Sequence, residues 1–209
     1  MKVLLNGSET DYQPVIPITW GKFFSDLHEI HVEKNHGIVR ILLDKKESLS
    51  LIKKNPDQKV PGNIKKIEVF SKDTLLITKE GFIKVFTLTD SIRCEIPTVS
   101  HYFRTDQGER ASTIIKNILV TIKPMIDFVN SVGINFLLNF DNILTDQGIS
   151  LREEFESFLK SFSKLAILHK NNDNLKFADY LEGPFLKDIS KWNKAVKKLF
   201  REISDRSRI

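Results

Sequence analysis

One stretch, Arg110 to Phe136, limits the folds open to this chain more than any other. Its apolar residues recur at spacings of three and four, the pattern of one face of an amphipathic helix: Ile115, Ile118, Ile122, Met125, Ile126, Val129 and Val132. Three more residues widen this face: Ile114, Leu119 and Phe128. We therefore expect a helix covered by more than one neighbour, at the centre of a helical bundle. Pro124 should bend it, because proline lacks the amide N–H and its ring clashes with the carbonyl of Val120.

Length and cysteine content set the broad class of protein. A chain of 209 residues forms one large domain or two small ones. Such a chain buries roughly 70% of its unfolded surface, so it can hold a core without disulfides or metals. Cys94 is the only cysteine, which excludes an internal disulfide and fits a reducing compartment. No uncharged apolar run approaches the ~18 residues of a membrane span. We therefore expect a cytoplasmic protein with no membrane span and no cofactor.

The formal net charge of +5 is concentrated towards the two ends of the sequence. Residues 1–72 carry 12 basic and 9 acidic side chains, and residues 151–209 carry 13 and 9. Between them, residues 73–150 carry 7 basic and 9 acidic side chains. Excess positive charge permits binding to nucleic acid or to an acidic protein, without showing that either occurs.

The first third of the chain has strand patterns interrupted by one helix. We predict strands over four segments: residues 2–6, 12–18, 38–43 and 67–70. Asn6-Gly7 has the composition of a hairpin turn between the first two strands. Pro14 and Pro17 place the second strand at a sheet edge, because neither can donate a ladder hydrogen bond. The apolar spacing after Thr19 predicts a helix from Trp20 to about residue 34.

The order strand, strand, helix, strand, long connection, strand resembles the β-grasp, the small fold of ubiquitin-like and sulfur-carrier proteins. The resemblance covers about residues 1–72 and rests on the order of the elements. Sulfur carriers of this fold end in a Gly-Gly tail. No such tail follows Phe70, so a carrier role is not expected. We predict a β-grasp-like α/β domain over residues 1–72.

Residues 73–104 fit two structures. The segment LLITKEGFIKVFTLT is rich in β-branched residues and could form a hairpin. Its apolar residues also continue with mostly helical spacing as far as Phe103: Leu76, Ile83, Phe86, Ile92, Ile96, Val99 and Phe103. We predict a helix, with Asp73 as its cap and with Pro97 either bending it or starting a separate turn.

Residues 73–209 are predicted to form a helical bundle domain of three or four long helices. Ser150 and Glu153 have the spacing of a capping box, which marks the start of a helix after the long apolar one. A last helical region runs from Phe177 to about Ile203, and Gly183-Pro184 can interrupt it. The predicted class is therefore α+β, a small β-grasp-like α/β unit followed by a predominantly helical bundle.

No segment carries a recognisable catalytic motif. A histidine cluster lacks the HExxH spacing, and solvated side chains on a polar helix face are its simpler interpretation. The cluster comprises His28, His31, Glu33 and His36. Asp179 and Glu182 are acids on or near a helix, without a sign that they converge in a cleft. Cys94 is expected to be a buried thiol. We therefore predict that the protein is not an enzyme.

Two basic features are candidates for binding a partner. Residues 45–66 hold seven Lys, one Glu and one Asp, but none of the Arg or aromatic residues that read or stack bases. The last helix carries a basic stripe at spacings of 4, 3, 4 and 3: Lys187, Lys191, Lys194, Lys198 and Arg201. The basic stripe lies on the face opposite Trp192 and Val196. It suits an acidic partner, an anionic membrane surface or RNA, and equally the water-facing side of a bundle helix.

The absence of site chemistry and the helical composition favour a non-enzymatic protein-interaction module. It would act as an adaptor, scaffold or chaperone-like factor and use the surface of its helical bundle. Its partner is then another protein, and an acidic one suits the basic stripe. The wide apolar faces of residues 110–136 and 151–169 also allow a homo-oligomer. The alternative is a nucleic-acid-binding protein that uses residues 45–66 together with the basic stripe.

Overall fold

A computed structural model describes residues 1–105, 107–171 and 173–206 of the chain. It shows an amino-terminal sheet followed by a series of helices. The chain divides into two units, Met1–Thr78 and Lys79–Ile209. The sheet lies in the first unit, and the second unit is helical. The predicted α+β class is therefore confirmed, with a β-grasp-like α/β unit followed by a predominantly helical bundle.

A five-stranded mixed sheet forms most of the first unit. Its strands are β1 (Lys2–Leu5), β2 (Ser8–Glu9), β3 (His36–Leu43), β4 (Lys46–Glu47) and β5 (Lys66–Asp73), in the order β2-β1-β5-β3-β4. The central strands β1 and β5 pair in parallel, and the other neighbours pair antiparallel. Two helices lie between the strands along the chain: α1 (Trp20–His31) and α2 (Leu49–Lys54). The predicted order of elements is present, with β4 added within residues 45–66.

One face of this sheet carries the core of the first unit. The register places Val3 beside Ile67, and Ile41 beside Val69. All four side chains are at most 2% exposed. The apolar residues of α1, spaced three and four apart, belong to the same core: Trp20, Phe23 and Leu27. Full burial of each such side chain stabilises a fold by about 1.5–3 kcal/mol, and this core therefore holds α1 to the sheet.

The prediction of the second strand is wrong in its position. β2 is only Ser8–Glu9, and residues 12–18 lie outside the strands. Pro14 and Pro17 lack the amide N–H that a sheet ladder needs, which explains the absence of pairing there. The predicted turn at Asn6-Gly7 is confirmed. The two residues have positive φ angles, 50° and 89°, as a two-residue hairpin turn requires.

Helices make up most of the described chain after β5. They are α3 (Thr74–Arg104), α4 (Gly108–Asn135), α5 (Leu151–Lys170), α6 (Asn174–Tyr180) and α7 (Leu186–Arg206), with a π-helical segment, Leu181–Phe185, before α7. The helical prediction for residues 73–104 is confirmed, and the Asp73 carboxylate caps α3 by accepting the Leu76 amide at 2.8 Å. The predicted interruption at Gly183-Pro184 is the π-helical segment. In the described part of the chain, no helix has the length and apolar character needed to cross a membrane.

One side of α4 is buried and the other faces solvent. Its buried residues alternate at spacings of four and three and are at most 3% exposed: Ala111, Ile115, Ile118, Ile122, Met125, Val129 and Val132. Phe128 meets Phe82 of α3, with ring centroids 5.4 Å apart, and Val129 lies beside Phe158 of α5. Val120, on the opposite side, is 74% exposed. Contact with the helices before and after α4 is therefore confirmed, but its predicted central position is wrong because a solvent face remains.

Aromatic packing joins α5 to α7. Phe158 stacks on Trp192 with ring centroids 5.0 Å apart, and both side chains are at most 2% exposed. Phe158 also lies 6.2 Å from Phe185, at the end of the π-helical segment. Aromatic pairs of this kind contribute about 0.5–1.5 kcal/mol beyond the area they bury. The contact turns one face of α7 towards the core and leaves the other to solvent.

Candidate partner-binding surface

The basic stripe is positioned by the apolar face of α7. That face consists of side chains at most 2% exposed: Ile189, Trp192, Val196, Leu199 and Ile203. Positions three and four apart share a helix face, so the basic residues fall together on the opposite side. Lys187, Lys194 and Arg201 are exposed, while Lys191 and Lys198 are half-buried. The structure thus brings all five predicted residues onto one surface.

Most of the charge on the basic stripe has no partner among the described residues. Lys198 pairs with Glu202, with Nζ and Oε1 3.4 Å apart. The other four side chains form no ion pair or hydrogen bond within that part of the chain: Lys187, Lys191, Lys194 and Arg201. By contrast, Arg152 of α5 binds Asp141 at 2.7 Å. The outer face of α7 is therefore a positively charged surface suited to an acidic ligand.

A small cleft of about 70 Å³ adjoins the middle of the basic stripe. It lies between α7, the start of α5 and the loop that precedes α5, and its lining residues are Thr145, Asp146, Gln147, Glu154, Lys191, Lys194, Ala195 and Lys198. Glu154 is only 6% exposed, and its carboxylate has no hydrogen-bond or ion-pair partner among the described residues. The cleft therefore brings the Glu154 carboxylate together with three lysine side chains.

The lysines of residues 45–66 are divided among several elements. The segment contains β4, α2 and the turns beside them. Lys66, at the start of β5, binds Glu68 at 3.0 Å. Lys53, at the end of α2, borders an apolar groove that Trp20 also lines. These lysines therefore do not follow one helix face as the basic stripe does.

The histidine cluster is divided among separate contacts. His28 Nε2 lies 3.1 Å from the carbonyl oxygen of His36. His31 Nε2 lies 3.2 Å from Asp11, and His36 Nε2 lies 3.2 Å from Glu33. Across residues 1–105, 107–171 and 173–206, no group of three or more His, Cys, Asp or Glu side chains is arranged to hold a metal ion.

Asp179 and Glu182 are held by a single guanidinium. Arg104 binds Asp179 at 2.8 Å and Glu182 at 2.7 Å. The hydrogen bonds to Asp179 and then to Glu182 raise the pKa of Arg104. Each carboxylate is thus engaged in an ion pair at the surface. This arrangement differs from the converging pair of free carboxyls that general acid–base chemistry needs.

Cys94 is exposed, so the prediction of a buried thiol is wrong. The buried face of α3 includes Ile92, Ile96 and Val99. Cys94 lies two positions from both isoleucines, which on a helix places it on the opposite side. The apolar spacing of α3 excludes Cys94 and accounts for its exposure.

Every aromatic side chain is buried or half-buried, although the chain contains 15 Phe, 3 Tyr and 2 Trp. Beside the basic stripe, Lys197 Nζ lies 5.7 Å from the ring centroid of Phe86, which is itself half-buried. Proteins that bind single-stranded nucleic acid present aromatic rings on which bases stack. The outer face of α7 offers charge without such rings.

The burial of Glu154, one of three acids near the start of α5, and the cleft beside it are not evident from the sequence. Acidic residues are common in the first turn of a helix, and Glu154 directly follows the capping-box residue Glu153. The structure separates the two, because Glu153 caps α5 while Glu154 is buried. A signal was present: Glu154 falls in the buried series of α5, which is Leu151, Glu154, Phe158, Ser161 and Leu165. A charged residue at an apolar position of a helix indicates that its side chain reaches a polar environment, here the cleft.

Comparison with protein-family models, curated proteins and solved structures finds nothing similar to this chain.

Proposed function

We propose that the protein is a non-enzymatic interaction module, an adaptor, scaffold or chaperone-like factor, that binds an acidic protein through the basic stripe. The observation that carries the proposal is the row of cations on α7 without carboxylate partners among the described residues. The opposite face of α7 is buried, so this row is presented on an ordered helix. We also propose a cytoplasmic location, which the single cysteine favours.

An acidic protein is the electrostatic complement of this surface. Aligned charges of one sign attract ligands of the other sign and accelerate their encounter. Pairing the basic stripe with the same stripe of a second copy would bring like charges together. A homo-oligomer of this protein would therefore use a different surface, and the basic stripe is left for another protein.

Nucleic acid is the second candidate partner, because it is also a polyanion. The segment of residues 45–66 favours it, since its lysines add to the total positive charge. Every aromatic ring is at least half-buried, and Arg201 is the single arginine of the basic stripe. Buried rings cannot stack on bases, and a single arginine offers few contacts that read base edges. We therefore rank an acidic protein above nucleic acid.

The test compares two variants that have the same net charge. The stripe variant combines Lys187→Gln, Lys194→Gln and Arg201→Gln. The loop variant combines Lys54→Gln, Lys59→Gln and Lys65→Gln, all at exposed positions. Each variant and the wild type is titrated with a fluorescent glutamate-rich peptide and with a fluorescent single-stranded oligonucleotide, and binding is followed by anisotropy. The titrations are made at about 0.15 M salt, where the Debye length is about 8 Å and only nearby charges contribute.

We expect the stripe variant to bind the acidic peptide about tenfold more weakly than the wild type. Three ion contacts of about 0.5 kcal/mol each amount to that factor. The loop variant should stay within about twofold of the wild type, because its lysines make no direct contact with the ligand. If the wild type binds the oligonucleotide tightly and both variants weaken that binding equally, the result supports the nucleic-acid alternative. A wild type that does not bind the acidic peptide overturns the proposal.

A further inference from the structure

The first unit has an apolar groove of about 290 Å³, with walls that come from β3, α1 and α2. The apolar side chains that line it include Trp20, Phe24, Ile38, Ile41, Leu49 and Ile52. Phe24, Ile38 and Leu49 are half-buried, so a ligand in the groove would cover apolar surface that now meets water. Burial of such surface is the main favourable contribution to most protein–protein association.

The groove follows β3, because α1 runs beside this strand in the opposite direction. At the start of α1, Trp20 lines the groove together with Ile41, near the end of β3. Two turns further on, His28 Nε2 lies 3.1 Å from the carbonyl oxygen of His36, at the start of β3. An extended ligand in the groove would therefore lie alongside β3.

The outer edge of β3 is open beside this groove. On its inner side, β3 pairs with β5 along its length. On its outer side, β4 pairs only with Leu42 and Leu43, and the Ile41 carbonyl accepts the Ser48 amide at 3.0 Å. Within residues 1–105, which are described without a gap, no strand lies on the outer side of residues 36–40. An open edge of this kind can receive an extended peptide as an additional strand.

The end of the groove at α2 carries positive charge. Lys53 is the one charged residue of the groove lining, and neither Lys53 nor Lys54 forms an ion pair with another described residue. Glu47, the acid of β4, is already paired with Arg40 at 2.7 Å. A ligand with a carboxylate at this end would be attracted, and a ligand with a basic group there would be repelled.

We propose that an extended segment of a partner protein adds to the outer edge of β3, with two apolar side chains in the groove and an acidic side chain beside Lys53. Residues opposite each other in paired strands face the same side, so the residue beside Ile38 points into the groove. The residue two positions along the segment points the same way, about 7 Å further on. The three residue steps from Ile38 to Ile41 span about 10 Å, which leaves room for both side chains. This site does not use the basic stripe and does not depend on the proposed function.

The experiment uses two labelled peptides of equal composition and charge. The alternating peptide has Val-Ser-Val between two pairs of glutamates, and the contiguous peptide has Val-Val-Ser in the same place. In an extended conformation, only the alternating peptide turns both valines to one side. Anisotropy is measured at about 0.15 M salt for the wild type and four variants: Ile38→Thr, Val39→Thr, Lys53→Glu and Lys54→Glu. Val39 and Lys54 are exposed and lie outside the groove lining, so their variants are the matched controls.

We expect the wild type to bind the alternating peptide about tenfold more tightly than the contiguous peptide, because it buries a second apolar side chain. Ile38→Thr keeps a β-branched side chain but loses apolar contact, and should weaken this binding about fivefold. Val39→Thr should stay within about twofold of the wild type. Lys53→Glu should weaken binding about fivefold, and Lys54→Glu about twofold, since salt screens the more distant charge.

Hydrogen exchange tests the addition of a strand directly. Saturation with the alternating peptide should slow exchange in residues 36–41 and leave β1 unchanged, because new backbone hydrogen bonds form only at the outer edge of β3. The stripe variant should keep the preference for the alternating peptide, since the two peptides carry the same charge. Loss of this preference in the stripe variant would place the peptide on α7 and overturn the inference.

Three further results overturn it. The first is equal binding of the two peptides by the wild type, or unchanged exchange in residues 36–41. The second is binding of decanoate, followed by tryptophan fluorescence, when neither peptide binds, which identifies a small amphipathic acid as the occupant. The third is self-association of the wild type that Ile38→Thr removes, which identifies a second copy of the chain. Thermal denaturation controls for folding, and Lys53→Glu, at an exposed position, keeps the test decisive if Ile38→Thr is unstable.

Discussion

At the residue scale, Gly81 of α3 is required by the close approach of a neighbouring ring. A Cβ atom at this position would overlap the ring of Phe128 of α4. Glycine within a helix usually lowers stability by about 0.5–1 kcal/mol relative to alanine, so Ala would stabilise an open site. Here the Phe128 ring must move, and Phe82 restricts it with a centroid distance of 5.4 Å. We expect Gly81→Ala to lower the free energy of unfolding by about 1–3 kcal/mol, measured by urea denaturation.

Gly108→Ala is the matched control for this prediction. Gly108 is the first residue of α4, and a Cβ atom there would meet Asn174 Nδ2 at 3.6 Å, an ordinary contact. We expect the free energy of unfolding to stay the same or to rise by up to about 1 kcal/mol. Equal destabilisation of both variants would show that the helix backbone, and not the contact with Phe128, requires glycine.

Tyr12 makes a pH-dependent contact in the first unit. Burial, and then the Asp26 carboxylate that accepts its hydroxyl at 3.4 Å, raise the pKa of Tyr12 to about 12. The folded state favours the neutral phenol, so this stability is fully present below the ordinary pKa of 10.0 and is lost as pH rises towards 12. We expect Tyr12→Phe to lose less stability than the wild type across this range. Urea denaturation at each pH measures the difference, and parallel curves for the two proteins would contradict the assignment.

At the element scale, the capping box determines how α5 begins. Ser150 Oγ accepts the Glu153 amide at 3.2 Å, and Glu153 Oε2 accepts the Ser150 amide at 3.2 Å. We expect Ser150→Ala to lower the free energy of unfolding by about 1 kcal/mol. Ser163→Ala is the control, because Ser163 is exposed in the middle of the same helix and alanine is the better helix former. Thermal denaturation of the two variants compares them, and a similar loss at both positions would argue against the cap.

The sequence predicts an element well when the residues that determine it lie within that element. Apolar spacing predicts α3 and α4, and the Ser150–Glu153 spacing predicts the start of α5, because each depends on residues that are neighbours along the chain. β2 does not carry such a local signal. Ser and Glu are not residue types that favour strands, and Ser8 and Glu9 form a strand only because they pair with Leu5 and Leu4 of β1. Whether such a segment forms a strand depends on the strand it pairs with, and the sequence of the segment alone does not show that.

At the scale of the whole molecule, the sequence shows which faces are apolar but not which faces meet. Phe128 widens the apolar face of α4, yet Val120 on the other side of the helix faces solvent, so width alone does not place the helix at the centre. The cleft shows the same limit. Gln147, Glu154 and Lys194 come from a loop and two helices, and they are brought together by the packing of α5 on α7. Neither the cleft nor the place of Glu154 in its lining follows from spacing.

Charge acts on a partner through the field of the whole molecule and through direct contact, and rate measurements separate the two. The stripe variant and the loop variant each lower the formal net charge of +5 by three. At about 0.01 M salt the Debye length is about 30 Å, so both variants should associate more slowly with the acidic peptide than the wild type does.

Only the stripe variant should also dissociate faster, by about tenfold, because direct contacts govern dissociation. At about 0.15 M salt the association rate of the loop variant should return to that of the wild type, since distant charges are then screened. Stopped-flow fluorescence of the labelled peptide gives both rates for each protein. An equal rise in the dissociation rates of the two variants would mean that total charge, and not the outer face of α7, holds the ligand.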